Sequence, residues 1–194
     1  GDVYKRQRSG LRAVEFRYFL EGVYNDYDKT RIWGNTYFDN DGNGFTLADL
    51  DAMNAKMNYT EAVKKTNVIS VTVGSNDVFS FTLNLVLQEM TDNANNDALK
   101  DIKDFLNNGG ALGTAFGKLI EYCQSVGQMA KLTTLITTTF ARAYEQFEEN
   151  YDAVVKKIYE LNPDITFVAV GVFNPFKHFR LSDGSNLDLS GLAL

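Results

Sequence analysis

The stretch Val68-Ile69-Ser70-Val71-Thr72-Val73-Gly74-Ser75-Asn76-Asp77 decides the predicted fold of this chain. Over residues 67–73 the side chains are β-branched and apolar on both faces, which is typical of a strand buried in a parallel sheet. Residues 165–173 repeat this pattern, and between the two runs apolar residues recur every three or four positions over about residues 128–161. Strand, long helix and strand predict a βαβ unit in a three-layer α/β domain.

The composition limits the classes of partner. The 194 residues carry a net charge of -6, so nucleic acid and anionic membrane surfaces are not predicted partners. No stretch reaches the roughly 18 apolar residues of a membrane span. Cys123 is the single cysteine, which excludes an internal disulfide and a thiolate metal site. No cofactor is predicted. The single cysteine fits a reduced compartment and a secreted bacterial protein equally, so the location stays open, with a secreted or cell-surface place in a bacterium slightly favoured.

The polar turn after the first predicted strand is the candidate site. Carboxyl ends of parallel strands form the active-site crevice in open α/β sheets. Gly74 permits a sharp turn there, and Asn76 would place a neutral amide donor at its mouth, which suits a developing oxyanion. Alternatively, Asn76 and Asp77 cap the helix that follows. The residues of the turn alone leave both interpretations open.

The same stretch resembles the third conserved block of the SGNH or GDSL ester hydrolases. Ser9-Gly10, followed by Arg12 and Glu15, resembles the second block, and residues 151–176 resemble the helix and fourth strand of that family. The resemblance implies a flavodoxin-like parallel sheet with helices on both faces. It also implies hydrolysis of lipid acyl esters or carbohydrate acetyl esters. By the same resemblance, the Gly10 N–H and the Asn76 side chain are oxyanion donors, and Gly74 and Asn174 bind substrate.

The chain departs from that family at the reacting groups. No Gly-Asp-Ser and no Asp-x-x-His occurs in it, and Gly1-Asp2-Val3 has valine where the nucleophilic serine should stand. We therefore expect residues 1–7 to be an adapter or cloning remnant. Residues 8–194 would be a partial domain without its first strand and its C-terminal part. The parent protein would act on a small-molecule, glycan or lipid ester, and this chain would be inactive; the sequence does not predict its oligomeric state.

Other candidate nucleophiles and bases carry weaker signals. His178 is the only histidine, and it follows Asn174 too closely to match the base of the family. Ser182 lies four residues further on, and no third residue supports a dyad. Ser75 lacks the Gly-x-Ser-x-Gly elbow. We predict that none of the three is catalytic.

A non-catalytic surface module that binds calcium or carbohydrate is the alternative function. Residues 39–44 (Asp-Asn-Asp-Gly-Asn-Gly) resemble the start of a calcium loop, although Leu50 stands where a bidentate acid is needed. A nearby aromatic group could stack on sugars or simply pack as a loop. Its members are Tyr24, Tyr27, Trp33, Tyr37 and Phe38.

Overall fold

The computed structural model describes residues 11–24, 47–92 and 95–170. These residues form helices joined to one small sheet. In chain order the elements are α1 (Ala13–Glu21), α2 (Leu47–Met57), α3 (Tyr59–Lys65), β1 (Val68–Val71), a π-helical segment (Ser75–Ser80), α4 (Phe81–Thr91), α5 (Asp97–Asn107), α6 (Leu112–Ser125), α7 (Met129–Leu161) and β2 (Thr166–Ala169).

The two predicted strands pair, but the predicted architecture is wrong. β1 and β2 run parallel, with Val68 opposite Thr166 and Val71 opposite Ala169, and α7 leads directly into β2. The described residues contain a two-stranded sheet within a mainly helical assembly, which is not a three-layer flavodoxin-like fold. The apolar runs were expected to be buried on both faces, yet Val68 is 58% exposed and Val168 is 43% exposed. A β-branched run indicates an extended backbone, whereas burial depends on the layers that other segments supply.

α7 organises the packing because its length spans two apolar clusters. Its first half packs with α4, α5 and α6 through Leu132, Ile136 and Phe140. Its last turns pack with α1, α2, α3 and β1 through Val154 and Ile158. We call these the helical cluster and the sheet cluster. Because one continuous helix belongs to both clusters, we expect a substitution that destabilises one cluster to destabilise the other.

The end of α7 is tied to the start of β1. The Asn162 side chain donates hydrogen bonds to Thr66 O at 2.7 Å and to Val63 O at 3.1 Å. Asn162 also ends the helix, as the Asn162-Pro163 pair predicts. These bonds hold the segment before β2 next to the segment before β1. They therefore help to set the register of the two strands, whose carboxyl ends lie side by side.

α7 also buries polar side chains. Thr139, Gln146 and Asn150 are buried at helical spacing, and Arg17 of α1 donates to Asn150 Oδ1 at 3.3 Å. Such side chains are stable inside a protein only when they are hydrogen-bonded. None of the helices in the described ranges is both long and apolar enough to cross a membrane, in line with the sequence prediction.

Candidate functional site

Two segments that are distant in sequence meet beyond the carboxyl end of β1. The carboxylate of Asp77 joins them, because Oδ1 accepts a hydrogen bond from Ala13 N at 2.7 Å and Oδ2 accepts one from Gly74 N at 3.0 Å. The Asn76 side-chain amide lies 3.5 Å from the carbonyl oxygen of Leu11. The start of α1 and the turn after β1 therefore form one site.

The turn has this shape because of Gly74 and Asp77. Gly74 has a φ of 114°, which side chains with a Cβ rarely adopt, and its carbonyl accepts the N–H of Val78 at 2.9 Å. Asp77 stands at the third position of the π-helical segment and accepts the N–H of Gly74 just before it. The capping interpretation is thus confirmed for Asp77, while the Asn76 amide donates toward Leu11.

A buried ion pair lies beside this contact. Glu15 Oε1 accepts from Arg12 Nη2 at 2.6 Å and from Arg12 Nε at 3.0 Å, and Glu15 Oε2 accepts the backbone N–H of Arg12 at 2.7 Å. The Tyr24 hydroxyl donates to Glu15 at 3.1 Å and accepts from Arg12 at 2.9 Å. The guanidinium also lies 5.6 Å from the ring centroid of Phe81. The Arg12–Glu15 pair closes the first turn of α1, and the contact of Arg12 with Phe81 links that turn to α4.

The environment of Asp77 favours its neutral form more than water does. Burial, and to a smaller extent the charge of Glu15, raise the pKa of Asp77 to about 7. The Arg12 charge and the N–H of Ala13 act in the opposite direction on this pKa. Both protonation states of Asp77 are therefore populated near neutral pH.

Replacing Gly74 with alanine should strain the turn. A residue with a Cβ at a φ of 114° costs about 1 to 3 kcal/mol of folding free energy. Urea denaturation would measure this loss. Gly117→Ala in α6 is the matched control, because an added Cβ meets no atom within 4 Å there, and it should stabilise the helix by about 0.5 to 1 kcal/mol. Equal effects of the two substitutions would contradict the strained conformation of Gly74.

The structure describes some of the predicted site residues and not others. Gly74 and Asn76 lie in the turn described above. Ser75 is exposed beside them. Outside the described residues lie Gly10, Asn174, His178, Ser182, the calcium-like loop at 39–44 and most of the aromatic group.

The predicted binding module stays a prediction. Tyr24, the aromatic residue of that group which the structure describes, is half-buried and uses its hydroxyl within the protein. Its ring also packs edge-on against Tyr18, with 6.0 Å between the ring centroids. Across ranges 11–24, 47–92 and 95–170, no group of three or more His, Cys, Asp or Glu side chains is placed to hold a metal ion. No contact in these ranges favours calcium or carbohydrate binding.

Sequence reasoning missed the buried cluster of Arg12, Glu15 and Asp77. A usable signal was present, because an acid three residues after the residue that precedes a helix has the spacing of a capping box. Arg12 and Glu15 have that spacing at the start of α1, and the Glu15 carboxylate accepts the Arg12 N–H. The contact with Asp77 carried no such signal, because 64 residues separate Ala13 from Asp77.

Comparisons with known proteins assign no family. No family model matches the chain, and no curated protein and no solved structure matches it. They neither support nor exclude the resemblance to the SGNH hydrolases. Within residues 11–24, 47–92 and 95–170 the structure is mainly helical with a two-stranded parallel sheet, and a polar turn at the end of β1 contacts the start of α1.

Proposed function

We propose that this chain is the oxyanion-binding part of an SGNH-type ester hydrolase that acts on lipid acyl or carbohydrate acetyl esters. The donors would be the Asn76 side chain and the N–H of Gly10. The observation that carries the proposal is the contact of Asn76 Nδ2 with Leu11 O at 3.5 Å. Leu11 follows Gly10 directly in the sequence, so this contact supports the pairing of the Asn76 amide with the proposed Gly10 donor.

The chemistry follows from the acyl-transfer mechanism. A serine hydroxyl attacks the ester carbonyl carbon and gives its proton to a histidine, and the carbonyl oxygen becomes an oxyanion. The oxyanion accepts hydrogen bonds from Asn76 and Gly10, then reforms the carbonyl and expels the alcohol, which takes the proton. Water then attacks the carbonyl carbon of the acyl-serine and gives a proton to the histidine. When the carbonyl reforms, the acid is released and the serine oxygen takes that proton back. The 194 residues contain no Gly-Asp-Ser and no Asp-x-x-His, so the proposal assigns the serine and histidine to polypeptide outside them.

The sequence of the surrounding gene tests this assignment. We expect a Gly-Asp-Ser before the present residues and an Asp-x-x-His after them. The 194 residues alone should hydrolyse p-nitrophenyl acetate no faster than buffer, because an oxyanion hole without its nucleophile supplies little of the rate. A complete gene that lacks both motifs would overturn the proposal.

In the product of the complete gene, Asn76→Ala should lower kcat for p-nitrophenyl acetate by about 10²- to 10³-fold. The amide stabilises charge that appears only in the transition state, so KM should change far less. Asn107→Ala is the matched control, because Asn107 is exposed at the end of α5. Equal kcat values for Asn76→Ala and Asn107→Ala would count against an oxyanion role for Asn76.

A further inference from the structure

We propose that Asp77 is a positioning residue whose ionised carboxylate holds the two oxyanion-donor segments together. The role in catalysis rests on the proposed function, whereas the contact itself does not. Asp77 would touch no substrate. It would act on the backbone on either side of the site.

The hydrogen bonds of Asp77 are divided between the two segments. One oxygen accepts from Ala13, three residues after Gly10, at 2.7 Å, and the other accepts from Gly74, two residues before Asn76, at 3.0 Å. A carboxylate accepts on both oxygens without competition. The neutral acid carries a proton on one oxygen, so one of the two N–H bonds weakens. Loss of either bond would weaken the connection between the two segments and leave the contact of Asn76 with Leu11 O as the described side-chain link between them.

The charges that face Asp77 come from α1. Arg12 and Glu15 act on its pKa in opposite directions, and the Tyr24 hydroxyl is bonded to both of them. The neighbouring elements add apolar groups, since α4 places Phe81 against Arg12 and the helix α7 packs on the π-helical segment. The exposed acid Glu149 of α7 pairs with Arg17 at 3.4 Å.

Ionisation of Asp77 should have opposite effects on global stability and on the local contact. The pKa of Asp77 is about 7 in the folded chain, whereas the ordinary value is 3.8. Between these two pH values the folded chain keeps the Asp77 proton, while the unfolded chain has lost it. Global stability from Asp77 therefore falls as pH rises through that window. The N–H bonds of Ala13 and Gly74 strengthen over the same range, because bonds to a charged acceptor are shorter and stronger.

Nuclear magnetic resonance on the ¹⁵N-labelled 194-residue chain tests this inference. Between pH 5 and pH 9, the amide protons of Ala13 and Gly74 should move downfield together, with one midpoint near the Asp77 pKa of about 7. The side-chain NH₂ of Asn76 should follow the same midpoint. In Asp77→Asn these steps should disappear. Asp51→Asn, the same substitution at an exposed acid of α2, should leave them intact.

Glu15→Gln supplies a second test. Removal of the Glu15 charge, which raises the pKa of Asp77, should shift the common midpoint to lower pH. Independent midpoints for Ala13 and Gly74, no titration in a folded chain, or a midpoint that ignores Glu15→Gln would each overturn the inference. The measurement requires no turnover. It can therefore fail while the ester hydrolase proposal stands, and an inactive gene product would not change it.

Discussion

Replacing Glu15 with alanine is expected to lower the free energy of unfolding by about 3 to 5 kcal/mol. Arg12 is 1% exposed, and its backbone and guanidinium donate three hydrogen bonds to Glu15. The variant removes these acceptors while the positive charge remains buried. The protein interior screens charges weakly, so the loss of the opposite charge of Glu15 lowers the stability of the folded state strongly.

Chemical denaturation at pH 8 would measure this loss. Glu21→Ala is the matched control in the same helix, because Glu21 forms a more exposed pair with Arg17 at 3.0 Å. Removing a pair of that kind costs about 1 kcal/mol or less. If both substitutions cost the same, the pair between Arg12 and Glu15 does not have the buried geometry described above.

Replacing Phe116 with alanine is expected to cost about 3 to 5 kcal/mol, because it opens a cavity in the helical cluster. Phe116 of α6 is 0% exposed and packs among residues of α4, α5 and α7. In the sheet cluster, Ile158→Ala should cost about 2 to 5 kcal/mol for the same reason. Both variants should still unfold in a single transition, since α7 belongs to both clusters.

Urea unfolding followed by far-ultraviolet circular dichroism and by hydrogen exchange would test this cooperativity. Val126→Ala is the control, because Val126 is exposed after α6 and its truncation should change stability by about 0.5 kcal/mol or less. We expect exchange in α5 and in α3 to respond equally to Phe116→Ala. Protection lost in α5 but retained in α3 would show two independent units and contradict the role given to α7.

Much of the local structure of the site could be predicted from sequence. Gly74 followed by Asn76 and Asp77 marks a turn after a strand, and the capping alternative correctly described Asp77. These features depend on backbone conformations and on groups a few residues apart. The family resemblance named Gly10 and Asn76 as a pair of donors, and Gly10 lies outside the described residues. Neither the contact of Asn76 with Leu11 nor the hydrogen bond of Ala13 to Asp77 was predicted.

The sequence by itself determined the two strands, the long helix α7 between them and the turn that ends β1, because periodicity and glycine or proline positions act locally. Only the tertiary structure decided that the described residues form a two-stranded sheet and how far its strands are buried, since the covering layers come from segments remote in sequence. The tertiary structure likewise decided the environment of Asp77. Its carboxylate is local to the turn, but its pKa depends on burial and on Glu15, which folding brings to it from α1.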